Sequence, residues 1–260
     1  MGSIKRLVIG PNSQLAQYIT KENTTFVSAK NFIASRDSFD EVYFFFCEQR
    51  TFLDLSEKDF LDVNVNLTLK ILEKIYNDKT KFYLYGTCEL WNKSEGGVTI
   101  ESPFNYTYSP YIKSKEVLVE QIHLFRNNKS DNIIIIHPFN FNTPYRAKGF
   151  LFSKIFDSII KREKIQTGNL DFSRDLVHPS FILKRTSEIL KDNLVGSGNL
   201  THIKTFVNKL YKAFNMNIED FLYEETTQKS RHQCSFYHKT DIKYNTLLED
   251  TIDDIKQFKD

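Results

Sequence analysis

Hydrophobic positions in the first half of the chain fall in short continuous blocks, and between the blocks they recur at helical spacing. "IKRLVIG" (4–10), "TTFVSA" (24–29), "EVYFFFC" (41–47), "KFYLYGT" (81–87) and "NIIIIHPFN" (132–140) are β-branched or aromatic runs. Such runs suit strands buried on both faces of a parallel sheet. "PNSQLAQYITK" carries Leu15 and Ile19 and predicts a short helix over 11–21. Residues 59–78 place Leu61, Val65, Leu69, Leu72 and Ile75 at helical spacing, and 109–128 predict another helix with Val117, Ile122 and Leu124 among its apolar positions. Strands alternating with helices imply right-handed crossovers, hence an α/β fold built on a doubly wound Rossmann parallel sheet.

After about residue 144 the alternation weakens. Residues 149–164 and 202–214 predict helices, 175–190 a turn into a helix, and 249–260 a terminal amphipathic helix. This half predicts a smaller α+β lobe attached to the sheet. There is no internal repeat and no low-complexity linker.

Composition narrows the function classes. The 35 basic and 33 acidic residues nearly cancel, so bulk charge gives no reason to expect nucleic acid or an anionic membrane as partner. Any anionic ligand must be held by local groups. Cys47, Cys88 and Cys234 are too few and too scattered for a disulfide framework and lack metal-ligand spacing, which predicts a reducing compartment and no structural zinc. No apolar run reaches the 18 or so residues of a membrane span, so a cytoplasmic location is expected.

Three stretches carry candidate chemistry. In "VIGPNSQLA", Gly10 ends a strand just before a helix start, where backbone N–H groups can face a diphosphate. Ser13 and Ala16 stand where further glycines of such a turn would fall, and Ser13 must either tolerate the turn or donate its hydroxyl to a phosphate. The end of the second strand is where a carboxylate would bond the ribose of NAD. Here the residues are Ser28, Ala29, Lys30 and Asn31, with Arg36 beyond, which suits a 2′-phosphate better. In "YSPYIKSK" (108–115), Tyr111 and Lys115 lie four apart, with side-chain roots about 5–6 Å apart on one helix face. An ammonium beside a phenol favours the phenolate and lowers its pKa, which is how such a pair serves acid–base catalysis.

"GPNSQLA", Asn64 in "DVNVNLTLKILE", "FYLYGTCELW", "SPYIKSK", "HPFNFNTP" and "SRDLVHP" appear in the order and spacing of the extended short-chain dehydrogenase/reductases that act on nucleotide sugars, and the chain resembles that family over nearly its whole length. The resemblance implies an NAD(P)-binding Rossmann domain over 1–144, to which some later segments return, and a lobe over 145–260 that mainly binds a nucleoside-diphosphate sugar. It implies catalytic roles for Thr87, Tyr111, Lys115 and Glu89. The cofactor-binding residues it implies are Gly10, Asn12, Ser13, Gln14, Leu15, Ser28, Lys30, Tyr111, Lys115 and His137. Those implied for the substrate are Thr87, Cys88, Glu89, Asn140 and Arg174. A homodimer is expected, with helices 59–78 and 109–128 packing against their symmetry mates.

The departures from the family pattern also inform. The glycine turn is degraded, His137 stands where the family usually has arginine, and Thr143 replaces the glycine of its N-x-x-G-P turn. The family's sugar 4,6-dehydratases follow the hydroxyl residue with Asp-Glu, whereas this chain has Thr87-Cys88-Glu89, and a neutral thiol replaces that carboxylic acid poorly. Glu89 remains either a second acid/base or a group bonded to a sugar hydroxyl. His178 is expected to be a hydrogen-bonded structural group, and Arg146 and Lys148 lie in a loop near the mouth of the sheet. These residues favour an NADP(H)-dependent reductase of a nucleotide-linked keto-sugar over an NAD-dependent epimerase, with NAD(H) as the other cofactor choice. A non-catalytic nucleotide-binding or scaffold homologue is the alternative from another class.

Overall fold

The computed structural model describes residues 3–33, 38–127, 129, 131–225 and 236–259. Arg36 and Cys234 lie outside the described residues. The chain divides into two compact units. The first comprises 1–90, 106–138 and 183–194, and the second 91–105, 139–182 and 195–260.

A six-stranded sheet organises the first unit. Its strands include β1 (Arg6–Ile9), β2 (Thr24–Val27), β3 (Glu41–Phe44) and β4 (Lys81–Tyr85), followed by Ile133–Pro138 and Asn193–Val195. Their order across the sheet is Asn193–Val195, Ile133–Pro138, β4, β3, β1, β2. The pairs β1–β2, β1–β3, β3–β4 and β4 with Ile133–Pro138 are parallel, as the continuous apolar runs require. All six residues of Ile133–Pro138 are buried, and Tyr43 stacks on its register partner Tyr83 with ring centroids 4.9 Å apart.

Three expectations are corrected in this unit. The helix predicted over 11–21 is a single three-residue 3-10 turn, Leu15–Gln17. Only 14 residues separate the end of β1 from the start of β2, and they close instead through a turn in which Asn23 takes φ 53° and the Thr24 hydroxyl donates to the Thr20 carbonyl. Second, β2 is an edge strand and is not buried on both faces, since Thr25 is exposed and Thr24, Phe26 and Val27 are only half-buried. Third, the helix predicted over 59–78 is interrupted: α1 (Glu57–Leu61) and α2 (Thr68–Ile75) are joined by a π-helical segment, Asp62–Leu67. A π turn places one extra residue in the helix, and here the buried Asn64 lies within it. The helix α3 (Pro110–Arg126) matches expectation, with Pro110 in its first turn and the Ser109 hydroxyl accepting from Ile112 N–H. Its Leu124 is exposed, however.

The second unit buries the apolar faces of three helices, Leu151–Lys161, Ile203–Ala213 and Leu247–Lys259, with Ile155, Ile159, Val207, Leu210 and Ile255 fully enclosed. The predicted turn at 175 is instead the strand Ser173–Val177, paired to Leu200–His202 and to Asn140–Phe141. Two helices here begin with the same device. His178 Nδ1 accepts from Ser180 N–H at 3.3 Å while Nε2 meets Asp254 at 2.7 Å, and His202 Nδ1 accepts from Thr205 N–H at 3.3 Å while Nε2 meets Asp171 at 2.9 Å. His178 is thus a helix cap, as its expected structural role requires.

Asp175 is the polar centre of this unit. It is fully buried, and its carboxylate accepts from Ser197 N–H (2.7 Å), the Ser197 hydroxyl (2.6 Å), His238 N–H (3.0 Å) and Gly198 N–H (3.3 Å). Burial nevertheless raises its pKa, against the lowering effect of those bonds. The carboxylate ties Ser173–Val177 to the 196–198 loop and to the strand Phe236–His238. Asp175→Asn turns an N–H donor toward N–H donors, so the free energy of unfolding, measured by denaturant titration, should fall by about 2 kcal/mol or more. A change under about 0.5 kcal/mol would show that the loop is held by other contacts.

Candidate active site

In a parallel sheet the carboxyl ends of all strands open on one edge, and that edge collects the ligand-facing groups. Gly10 follows β1, Ser28 follows β2, Cys47 follows β3 and Thr87 follows β4. Gly10 has φ 102°, and a Cβ there would lie 2.7 Å from Phe46 N, so the close approach of two strand ends requires glycine.

The turn after β4 brings most of the candidate residues together. Thr87 is buried, and its hydroxyl hydrogen-bonds the phenol of Tyr111. Glu89 N–H donates to Thr87 Oγ1 at 3.2 Å. Cys88 is buried and in no disulfide, and Glu89 is half-buried. Lys115 is buried on α3, and its Nζ donates to the Tyr85 carbonyl at 2.7 Å. Beneath them His137 is 1% exposed, with Nδ1 3.3 Å from both Thr87 N and Thr87 O. Burial pushes its pKa down to about 4, so the imidazole is neutral at physiological pH. Its ring fills the place of a side chain at position 86, where a Cβ would come within 2.4 Å of Nδ1.

Burial raises the Tyr111 pKa well above 10, the neighbouring Cys47 raises it further, the Thr87 bond lowers it, and Glu89 and Cys88 add smaller increases. The expectation that Lys115 leaves the phenol more acidic than usual is therefore corrected. Its ammonium is engaged with the Tyr85 carbonyl, and burial of the phenol outweighs the groups that favour ionisation. Tyr111 is a neutral phenol over the physiological range.

Ser114, which the sequence did not single out, and Asn64 belong to this cluster. Ser114 is fully buried, its hydroxyl donates to the Tyr111 carbonyl at 2.7 Å and accepts from Asn64 Nδ2 at 2.9 Å. Asn64 also pairs with both backbone groups of Glu48, accepting from its N–H at 2.7 Å and donating to its carbonyl at 3.0 Å. This amide joins the loop after β3 to α3. Ser114 lies within "YSPYIKSK", but only its burial distinguishes it from an ordinary helical serine.

The remaining candidates are placed as follows. Asn12, Ser28 and Lys30 are exposed, Gln14 and Leu15 buried. Ser13 Oγ accepts from Ala16 N–H at 3.1 Å, capping the 3-10 turn. In the second unit, Asn140 is half-buried opposite Leu176, and the Arg174 guanidinium lies over Phe172, 4.9 Å from its centroid, while donating to the Ser173 carbonyl. Arg146 lies 3.8 Å over Phe150.

The family model described as GDP-mannose 4,6 dehydratase matches residues 25–256. The chain belongs to this family. It is an extended short-chain dehydrogenase/reductase, of the NAD(P)-dependent enzymes that modify nucleotide sugars. The match begins beyond the Gly10 turn. No curated protein is a significant match. Among solved structures, RMD from Pseudomonas aeruginosa complexed with NADPH is 13% identical at a TM-score of 0.79, over 97% of this chain and 98% of that one. The UDP-N-acetylglucosamine 4-epimerase from Methanobrevibacter ruminantium is 12% identical at 0.81, over 99% of each chain. The dTDP-glucose 4,6-dehydratase from Bacillus anthracis in complex with NAD is 16% identical at 0.72, over 98% and 97%. At these identities they establish the fold. Among the described residues, no helix is long and apolar enough to cross a membrane.

The residues present fit a nicotinamide nucleotide at one end. The Lys115 ammonium has three donors and spends one on Tyr85; the other two have no acceptor among the described residues. Two donors on a buried cation suit the vicinal hydroxyls of a ribose.

The packing of His137 against Gly86 is testable. Gly86→Ala should lower stability by about 1–3 kcal/mol, as overpacking does. In a His137→Ala background the same change should cost much less, because the clashing ring is gone. Equal costs in both backgrounds, read by thermal or denaturant unfolding, would refute the account.

Proposed function

We propose that the chain is an NADP(H)-dependent reductase of a nucleotide-linked keto-sugar, most simply a 4-keto-6-deoxy sugar. The observation that carries this reading is the half-buried Tyr111, whose phenol is held neutral and hydrogen-bonded to Thr87. A neutral phenol is ready to give a proton and not to take one, which suits carbonyl reduction. An epimerase must first oxidise an alcohol and so needs a base. Dehydration needs a carboxylic acid after Thr87, where this chain has the buried thiol of Cys88.

When bound, the nicotinamide supplies a hydride to the carbonyl carbon. Tyr111 gives its proton to the oxygen of that carbonyl as negative charge develops, and the Thr87 hydroxyl donates to the same oxygen. Lys115 holds the ribose hydroxyls with the donors that the Tyr85 carbonyl leaves over. Glu89 accepts from a sugar hydroxyl. Ser28 and Lys30 supply a hydroxyl and a cation beyond β2, with no carboxylate to repel a 2′-phosphate, and so favour NADP(H).

Tyr111→Phe should leave folding nearly unchanged while turnover falls about 10²-fold or more. Lys115→Met should damage both turnover and cofactor affinity. Lys113, which pairs with Glu116 at 2.7 Å, is the control, and Lys113→Met should leave the rate close to native. The native rate should hold through neutral pH and fall only as the phenol ionises, above pH 10. A Phe variant with near-native turnover on its keto-sugar would end the proposal, and turnover without net oxidation of NADPH at 340 nm would transfer it to an epimerase.

We also propose a homodimer through α3 and the helical segment of α1 and α2. Val117 is half-buried and Leu124 is 60% exposed on α3, and Val63 and Leu67 are half-buried in the π segment. A second copy would cover these apolar groups through an isologous contact. Sedimentation should give about twice the 30.6 kDa chain mass, and a particle of one chain mass at micromolar concentration would refute it.

A further inference from the structure

His137 is a buried polar group that takes no step in the proposed reaction. It lies on Ile133–Pro138, the strand beside β4, and Gly86 N–H donates to the neighbouring Ile136 carbonyl at 2.8 Å. The imidazole therefore falls across the residues that follow β4. Its edge takes up the space at position 86, where a Cβ would lie 2.4 Å from Nδ1 and 2.6 Å from Cε1. At 1% exposure the ring offers a nucleotide almost no surface to touch, which argues against the cofactor-binding role that the family resemblance implies for it.

Nδ1 lies 3.3 Å from both Thr87 N and Thr87 O, and one ring nitrogen can serve only one of them at a time. With a proton on Nδ1 the ring donates to the carbonyl and leaves Thr87 N–H facing another donor. With Nδ1 bare the ring accepts from Thr87 N–H, and the carbonyl is left short of one bond. An orphaned buried N–H is rarer in folded proteins than an under-satisfied carbonyl, which selects the bare nitrogen. Burial keeps the ring neutral, and of the charged and titratable groups around it Asp192 favours the imidazolium while Lys115 and His123 oppose it. The bond reaches the chemistry through one residue. Thr87 is buried, and its Oγ1 accepts from Glu89 N–H at 3.2 Å and hydrogen-bonds the Tyr111 phenol. Its backbone is thus fixed from beneath and its hydroxyl from above.

We infer that His137 is a positioning residue, whose Nδ1 accepts from Thr87 N–H and so holds the Thr87 hydroxyl against the Tyr111 phenol. The inference rests on the function proposed above. It assigns the imidazole to the chemical step and not to cofactor binding. It also explains why a histidine serves here where the family usually has arginine, since a guanidinium carries only donors and has no lone pair to offer Thr87 N–H. A catalytic group displaced by about 1 Å can lose about 10²-fold in rate, so a bond that fixes Thr87 acts on turnover directly.

The test compares His137→Phe, which keeps a ring but no nitrogen, with His137→Asn, whose amide oxygen can accept from Thr87 N–H in place of Nδ1. Turnover of the full chain is read as NADPH oxidation with GDP-linked and dTDP-linked 4-keto-6-deoxyhexoses, and NADPH affinity by nicotinamide fluorescence. His137→Phe should lower kcat about tenfold or more while the NADPH dissociation constant changes less than about threefold. His137→Asn should recover most of that loss. In a Thr87→Val background His137→Phe should cost no further turnover, because both changes act through one hydroxyl. Nitrogen NMR of the native protein, with the His137 signals identified by their loss in His137→Asn, should show Nδ1 bare and the proton on Nε2. A protonated Nδ1, a native kcat in His137→Phe, or a loss confined to NADPH affinity would overturn the inference and leave the proposed function standing. No oxidation of NADPH by folded native protein with either keto-sugar would overturn both.

Discussion

The chemistry assembled in the first unit depends on one close approach, that of the His137 imidazole to the backbone of Gly86. Because residue 86 has no Cβ, the ring can enter beneath the turn after β4 and set Nδ1 against both backbone groups of Thr87. On one side of that position the Tyr85 carbonyl receives the Lys115 ammonium, and on the other the Thr87 hydroxyl meets the Tyr111 phenol. Three consecutive residues thus connect strand, imidazole and α3. A charged arginine at 137 would need partners for five N–H donors in a fully buried place. A neutral imidazole needs far fewer, and burial keeps it neutral.

The two units use opposite polar strategies. In the first, the buried groups of the site are neutral apart from one cation, with amide, hydroxyl and backbone partners supplied by Asn64, Ser114 and Tyr85. In the second, the buried charge is a carboxylate, Asp175, surrounded by three backbone N–H groups and one hydroxyl. Each arrangement follows from the requirement that a buried polar group be satisfied locally. The consequences differ, since a fully bonded carboxylate rigidifies a loop, whereas a cation with unused donors remains able to take a ligand.

What was legible in the sequence was whatever depends on local pattern. The unbroken run at 132–140 suits an interior strand, and the helix predicted over 109–128 runs from Pro110 to Arg126. The Tyr111–Lys115 spacing sets the phenol against the Thr87 hydroxyl and the ammonium against the Tyr85 carbonyl. Less legible were features that depend on chain length or on distant partners. Leu15 and Ile19 satisfy a helical period, yet too few residues remained before β2 for a helix to form and return. The π segment at Asp62–Leu67 has no compositional signal, because it is the partners of Asn64 in two other segments that make it worthwhile. The direction of the Tyr111 pKa is hidden for a similar reason. A nearby lysine is visible in the sequence, whereas the burial of a phenol and the prior claim of Tyr85 on the ammonium are not.

The short turn after β1 and the neutral phenol bear on the same question from different ends. An enzyme that oxidises and then re-reduces one sugar must keep its cofactor through both half-reactions, so strong anchoring at the diphosphate and adenosine is part of its chemistry. It must also begin each cycle with a base. On the proposed reading this chain does neither: Leu15–Gln17 replaces the helix that would anchor the diphosphate, and Tyr111 begins each cycle protonated. A reductase needs a proton donor at the start and must release the spent nucleotide before the next turnover. A site that is firm around Lys115 and carries only the short turn Leu15–Gln17 after β1 suits both needs, with α3 and the Thr87 turn held closely together.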